Sequence, residues 1–364
     1  MLRSSHQFSV LESYALADMM HGRHEKLAIG VDLGGTSVRV GAFDGTWKLI
    51  DSRSMVTRVE AGPDAVVADI ADAIRDLING TGAAANGTPA HRLTIGVGSP
   101  GPLNLRYGTL GHLPNFPGWD GFPLRQALED ALGVSICLDG DANAAALAEW
   151  RASSEAGEAV NSMCMLTLGT GVGSGILLDG KIWHGMVGMG GEAGHIPLVA
   201  DGPVCGCGGR GCLEVFASAT ALCRMAREAA AALPAAAPGV LSLQTLVECT
   251  PGFSAREVAD LAVQGDAGAI QAYERLGFYL GYALAGLVNT LDLPLYVIGG
   301  GLASAWDLFA PSIFRTVREY SYIYRLSEPS QLQRCEPDKT CIRPARLGPA
   351  AGLLGAAMLP GMRS

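Results

Sequence analysis

The stretch LAIGVDLGGTSVRVGAF occupies residues 27–43. An apolar run at 27–33 meets a Gly-rich tip at 34–36, and a second apolar run follows at 38–43. That pattern predicts a β-hairpin, with a third strand over 47–54. The pattern restarts later: 162–168 reads as a strand, 169–175 as a Gly-rich turn and 175–178 as a return strand. Leu166-Thr167-Leu168-Gly169-Thr170-Gly171 resembles Val31-Asp32-Leu33-Gly34-Gly35-Thr36. This weak internal repeat predicts two similar α/β halves facing one cleft.

The segments around the hairpins fit such halves. Val66, Val67, Ile70, Ile74 and Leu77 have helical spacing within 63–78. A strand is predicted at 93–97, ending in the turn Ser99-Pro100-Gly101-Pro102. A helix at 122–132, a strand at 134–138 and a helix at 142–151 follow. Helices dominate 214–289. A last strand at 295–298 runs into Gly299-Gly300-Gly301, with helices at 303–320 and 348–358. Strands alternating with helices make the fold class α/β. The domains expected are an extension at 1–26, a small α/β domain of 27–141 plus 345–364, and a large α/β domain of 142–344. The chain crosses near 139–144 and returns near 343–348.

Composition agrees with two cores: 364 residues, 49% of them hydrophobic and only 17% charged. The net charge is -9, with no Lys/Arg run of the kind that marks a nucleic-acid or membrane patch. An acidic protein can still bind phosphates through backbone N–H groups. Residues 1–26 lack the apolar core of a signal peptide. The apolar run 280–293 is broken by Asn289 and Asp292, so it reads as a buried helix and not a membrane span.

Of nine cysteines, Cys205, Cys207 and Cys212 fall within eight residues, and the others are scattered. An odd, scattered set is no disulfide framework and suits a reducing, cytosolic compartment. The Gly-rich loop can aim three thiols at one point, with His195 as the fourth ligand of a structural Zn²⁺. Ordinary reduced thiols or a regulatory disulfide are the alternatives.

Together, Asp32-x-Gly34-Gly35-Thr36, Glu192-x-Gly194-His195 and Cys205-x-Cys207-Gly208-x-x-Gly211-Cys212-x-Glu214 resemble the ROK family of bacterial sugar kinases and sugar-responsive repressors. The resemblance runs from about residue 29 to 358. It implies an actin-like (ribonuclease H-like) two-domain fold with a nucleotide and a sugar between the domains.

The chemistry of the residues supports the roles so implied. Gly34 and Gly35 permit close backbone approach to ATP phosphates and Thr36 adds a hydroxyl, whereas Asp32 suits Mg²⁺ held through water. By resemblance, Gly169, Thr170 and Gly171 contact phosphate, and Gly299, Gly300 and Gly301 form the adenosine-side turn. Taken singly, each Gly run could be a plain tight turn, and none has the spacing of a P-loop or dinucleotide fingerprint. Asp141 lies where a strand passes into a helix. It could simply cap that helix; the resemblance makes it the catalytic base. Glu192, His195 and Glu214 match sugar-contacting residues, with Gly101 and Asn115 as further sugar-side candidates. The metal loop, which shares His195 and adjoins Glu214, would then brace both walls of the sugar pocket.

Two positions depart from the family pattern. Gly140 stands where Asn usually precedes the catalytic Asp, and Ser37 where many members carry Lys. The expected function is ATP-dependent phosphorylation of a free hexose at O6, glucose first. Allose, mannose, fructose, N-acetylglucosamine and N-acetylmannosamine stay open. The resemblance also implies a homodimer. A repressor of this family carries a helix-turn-helix domain of roughly 60–80 residues before the first Gly loop. Only 31 residues precede Asp32 here, which favours an enzyme. A non-catalytic sugar-binding module is the third reading.

Overall fold

Strand β1 (Leu27–Leu33) pairs antiparallel with β2 (Ser37–Phe43), and Leu33 faces Val38 across the Gly34–Thr36 turn. The computed structural model describes residues 26–81, 93–113, 116–158, 160–232 and 242–362. The extension 1–25 and Asn115 therefore lie outside the described residues. Further strands β3 (Leu49–Val56), β4 (Leu93–Ser99) and β7 (Ile136–Gly140) complete a sheet of order β3-β2-β1-β4-β7. Two short strands, β5 (Leu103–Asn104) and β6 (Thr109–Leu110), form a separate ribbon. β1 is central and almost wholly buried, as a strand covered on both faces must be. The edge strand β3 is mostly exposed and carries Asp51 and Arg53, charges that discourage pairing with another chain.

Helix α1 (Pro63–Gly80) opens on a proline and buries Val66, Val67, Ile70, Ile74 and Leu77, the five positions its spacing predicted. Cutting one such side chain back, as in Ile70→Ala, costs about 2–5 kcal/mol. Helix α2 (Leu124–Leu132) begins two residues later than the pattern suggested, because Pro123 disfavours helical backbone at Phe122. Strand β7 is also displaced from 134–138. Its ladder with β4 matches Ile95 to Ile136 and Ser99 to Gly140, so the strand reaches Gly140. Helix α3 (Asp141–Glu155) follows with no intervening loop.

The second sheet contains β8 (Met163–Leu168), β9 (Val172–Leu178), β10 (Lys181–Ile182), β11 (Leu295–Gly299) and β12 (Cys341–Pro344) in the order β10-β9-β8-β11-β12. Both sheets carry antiparallel strands on one side and two parallel strands on the other, so the weak sequence repeat is a repeat of architecture. The turn expected over 169–175 is shorter, since Gly173 and Gly175 take ladder positions opposite Thr167 and Met165. The ladder needs backbone groups only, which glycine has.

Helices α4 (Glu214–Ala217), α5 (Ala219–Ala232), α6 (Leu243–Cys249), α7 (Ala255–Val263) and α8 (Ala267–Leu291) fill the region between β10 and β11. Beyond β11, a 3-10 turn at Gly301–Ala305 replaces the start of the helix expected over 303–320, and α9 is Trp306–Tyr320. The last two helices are α10 (Tyr322–Ser327) and α11 (Ala350–Met358).

The described residues up to Ala145, with those from Gly352 on, form one compact unit, and Ala146–Ala351 form the other. Each has its own apolar core. The division points lie inside α3 and α11, a few residues beyond the segments at 139–144 and 343–348. In the first unit α11 lies directly on the sheet. A Cβ on Gly96 would sit 1.9 Å from the Ala356 carbonyl oxygen, so only glycine allows that approach. Among the described residues, no helix is long and apolar enough to cross a membrane.

Candidate active site

Strand register gathers the candidate residues of the first unit. Asp32 pairs with Gly98 and Ser99 with Gly140, so β1, β4 and β7 finish along one sheet edge. Asp32, Gly101 and Asp141 emerge there, at the carboxyl ends where α/β sheets present ligand-binding groups. The Gly34 N–H donates to Ser37 O at 3.0 Å, and Thr57 Oγ1 donates to Gly34 O at 2.6 Å. Gly34 thus shapes the turn, and Gly35 and Thr36 are exposed at its tip.

Asp32 is partly buried and forms an ion pair with Arg39, its cross-strand neighbour. A Cβ on Gly352 would stand 2.9 Å from Asp32 Oδ2, so a side chain there would push on the carboxylate. Asp141 is the first residue of α3, and its Oδ1 accepts the Ala142 N–H at 2.6 Å. Next to it, buried Asp139 accepts from Gly140 N–H at 2.7 Å and Asn143 Nδ2 at 2.8 Å, which braces the strand-to-helix junction. A Cβ on Gly140 would meet Asn143 at 3.5 Å, an ordinary contact, so the fold does not require glycine there.

In the second unit Gly299 pairs with Thr167, so the turns after β8 and β11 leave one sheet edge together. The Gly169 N–H donates to Gly171 O at 2.9 Å, closing the turn much as Gly34 does in the first hairpin. Ala219 N–H donates to Gly169 O at 2.8 Å and Thr220 Oγ1 to Thr170 O at 2.9 Å, which anchor the turn to α5. Gly300 has φ +81° and lies against Leu168, and Gly301 opens the following 3-10 turn.

His195, Cys205, Cys207 and Cys212 bring their ligand atoms within 4.8 Å of one another. Cys205 Sγ lies 3.6 Å from His195 Nδ1, and Cys207 Sγ lies 3.8 Å from Cys212 Sγ. A tetrahedral Zn²⁺ with Zn–S near 2.3 Å and Zn–N near 2.0 Å has edges of about 3.5 to 3.8 Å. The donor set and these two separations therefore fit that ion. Burial pushes the Cys205 thiol up to about 12 and raises Cys212, while the Gly209 N–H lowers Cys207.

Glu214 ties this cluster to the Gly turn. Its Oε1 accepts from Cys205 Sγ at 3.4 Å and its Oε2 from Val172 N–H at 3.0 Å. Glu192 is held from β9: Ser174 Oγ donates to Gly191 O and accepts the Ala193 N–H at 2.8 Å. His195 N–H donates back to Glu192 O at 3.0 Å. Glu192 keeps an open side to solvent. Partial burial nonetheless raises its pKa, His195 opposes that rise and Glu214 adds to it.

Arg39, Ser174 and Gly352 were missed in the sequence reading. Arg39 was within reach of it, since a hairpin pairing Leu33 with Val38 must pair Asp32 with residue 39. The other two depend on contacts distant along the chain.

Residues 28–361 match the family model described as ROK family. A glucokinase from Halalkalibacterium halodurans is 33% identical over 340 residues, covering 91% of this chain and 94% of that protein. An N-acetylmannosamine kinase from Citrobacter koseri is 31% identical over 333 residues, with coverage of 91% and 97%. Among solved structures, the chain is similar to a ROK family glucokinase from Streptomyces griseus in complex with glucose and AMPPNP. The TM-score is 0.71 and the identity 30%, over 92% of this chain and 98% of that one. The fold is the actin-like ATPase fold of ROK sugar kinases, and the chain belongs to the ROK family.

Proposed function

We propose that this protein transfers the γ-phosphoryl group of ATP to a hydroxyl of a free hexose, at O6, with glucose as the first substrate to test. The observation that carries the proposal is the shared sheet edge, where Asp32, the Gly35–Thr36 tip and Asp141 emerge at the same end of β1 and β7 on either side of β4. Relatives with glucokinase activity in their names support it.

Phosphoryl transfer is mostly positioning and charge neutralisation. Asp141 takes the hydroxyl proton as the sugar oxygen bonds to phosphorus and the bond to the ADP oxygen breaks. Backbone amides of the two Gly turns neutralise phosphate oxygens, with Gly299–Gly301 on the adenosine side. Asp32 is the carboxylate that would hold Mg²⁺ through water, and the ion would share in that neutralisation.

Glu192, His195 and Glu214 bind sugar hydroxyls, with Gly101 as a lesser partner and Asn115 outside the described residues. His195 turns Nδ1 to the thiols, which leaves Nε2 for the sugar. Were Cys205 to bind Zn²⁺ as a thiolate it would have no proton to give Glu214, and Oε1 would then be able to accept from a hydroxyl. His195, Cys205, Cys207 and Cys212 would hold Zn²⁺ in a purely supporting role, because four protein ligands leave no open position. A homodimer belongs to the same proposal and is read by light scattering.

ADP release measured across glucose, allose, mannose, fructose, N-acetylglucosamine and N-acetylmannosamine tests the reading. Glucose should give the highest kcat/KM. Gly140 favours a second reading, in which another hexose or N-acetylhexosamine leads the panel. Sugar binding without ADP release from any member would overturn the kinase and leave a binding module or a sugar-responsive repressor.

A further inference from the structure

The turn at 169–171, between β8 and β9, is held at three points by one short segment, residues 214–220. Ser218 Oγ accepts the Ala221 N–H at 3.1 Å and so caps α5. The Ala219 N–H stands in the first turn of that helix, where no carbonyl of the helix can reach it, and donates to Gly169 O at 2.8 Å. Thr220 Oγ1 donates to Thr170 O at 2.9 Å. From the start of α4, Glu214 Oε2 accepts the Val172 N–H at 3.0 Å. A Cβ on Gly171 would lie 2.3 Å from that oxygen, so a side chain there would push the carboxylate off the Val172 N–H. The other oxygen, Oε1, lies 3.4 Å from Cys205 Sγ.

We propose that Thr220 positions this turn for phosphate and that Glu214 couples it to the sugar, so that hexose binding tightens MgATP binding through residues 214–220. The inference rests on the kinase reading above, which gives the turn to phosphate and Glu214 to a sugar hydroxyl. A peptide group is planar and trans, so its N–H points opposite to its C=O. Holding Gly169 O and Thr170 O against the start of α5 therefore turns the Thr170 and Gly171 N–H groups away from that helix. Those two amides are the donors that a phosphate oxygen would meet. Thr220 is exposed and contributes its hydroxyl to the turn, so it is a positioning residue and not a catalytic one.

Glu214 differs from Thr220 because its two oxygens face two ways. The bond to Val172 needs an ordered carboxylate, and fixing a glutamate side chain costs conformational entropy. A sugar hydroxyl donating to Oε1 would fix that side chain, and the Oε2 bond to the Val172 N–H would then form at less cost. A nucleotide that orders the turn would favour the sugar by the same factor, since coupling between two sites is reciprocal. The path from Glu214 to Val172 runs through one side chain and lies within the second unit.

The test is calorimetric binding of MgAMPPNP to the metal-loaded protein with and without saturating glucose, with hydrogen exchange at 169–172 followed in glucose alone. In the wild type, glucose should tighten MgAMPPNP about fivefold or more and slow exchange in the turn. Thr220→Val should weaken MgAMPPNP about threefold with or without glucose, leave the glucose Kd unchanged, and be rescued by Thr220→Ser. Glu214→Gln keeps an acceptor for the Val172 N–H but none for a sugar hydroxyl, so glucose, raised to saturate the variant, should no longer tighten the nucleotide or slow exchange. The proposal is overturned if Thr220→Val binds MgAMPPNP as the wild type does, or if the glucose effect is absent from the wild type or intact in Glu214→Gln. Failure of the kinase reading is a different result, the lack of ADP release with every sugar of the panel. A protein that phosphorylates glucose without a glucose effect dependent on Glu214 would keep the kinase and lose the coupling.

Discussion

The two sheets share strand order and chain direction, yet their strand ends carry different chemistry. Asp32 at the end of β1 is answered by Thr167 at the end of β8. β7 delivers Asp141 to the first turn of a helix, whereas β12 ends at Pro344. The second unit has instead a thiol–imidazole cluster, with Glu192 and Glu214 fastened to β9 and its turn. One scaffold thus carries two kinds of chemistry, carboxylates at strand ends in the first unit and a cluster in the segment after β10 in the second. The carboxylates of the first unit are placed directly by the backbone ladder. Those of the second are placed through side chains, and so depend on whatever holds the Cys loop.

The largest effect should come from Asp141→Asn, which cuts kcat by on the order of 10²–10⁴ with sugar affinity nearly kept. A near-normal kcat would take the proton transfer away from the first unit. Next is metal removal. Chelation should weaken sugar binding at least about tenfold and raise hydrogen exchange over 193–214, while protection of the hairpin 27–43 is unchanged. A folded, metal-free protein with full sugar affinity would show that the second site stands without its cluster.

Arg39→Met is expected to lower kcat/KM for MgATP by about ten- to a hundredfold, since a hydrogen bond to a charged group is worth about 1.5–3 kcal/mol. Arg39→Lys should recover part of that loss, and an unchanged rate in Arg39→Met would mean that the ladder alone orients Asp32. Gly140→Asn fits the backbone and should change the ratio of kcat/KM between hexose epimers by about tenfold, from about 1–3 kcal/mol of polar contact. An identical sugar profile would remove position 140 from specificity.

The smallest effect concerns the charged web that ties β12 to α3. Burial alone would raise the Glu158 carboxyl, but Arg346 and Arg343 outweigh it and hold its pKa below the ordinary 4.5. The stability Glu158 contributes is therefore present above about pH 4.5 and lost as pH falls through the lowered value. Glu158→Gln should cost about 1–3 kcal/mol at neutral pH. The difference in Tm from wild type should shrink in acid, and a constant difference would assign the loss to packing.

Much of this was legible because it is local. The hairpin at 27–43, the buried face of α1 and the clustering of His195 with the three thiols follow from periodicity and spacing in short windows. The departures have local physical causes as well. Pro123 moves the start of α2, and ladder pairing shortens the turn after Leu168 to Gly169–Gly171. Less legible were groups acting at a distance along the chain. Ser174 brackets Glu192, and Glu214 joins Cys205 to Val172.

By itself, the sequence determined the α/β class, the repeated Gly-tipped hairpin, the ROK motifs and which thiols, imidazole and carboxylates were candidates for the site. Those depend on residue type and near-neighbour spacing. Tertiary structure alone decided that Arg39 neutralises Asp32 beside Gly352, and that one Glu214 carboxylate serves both the Cys loop and the Gly turn. Such pairings need strand register and the packing of α11 and α4, which bring together residues that no single window of sequence contains.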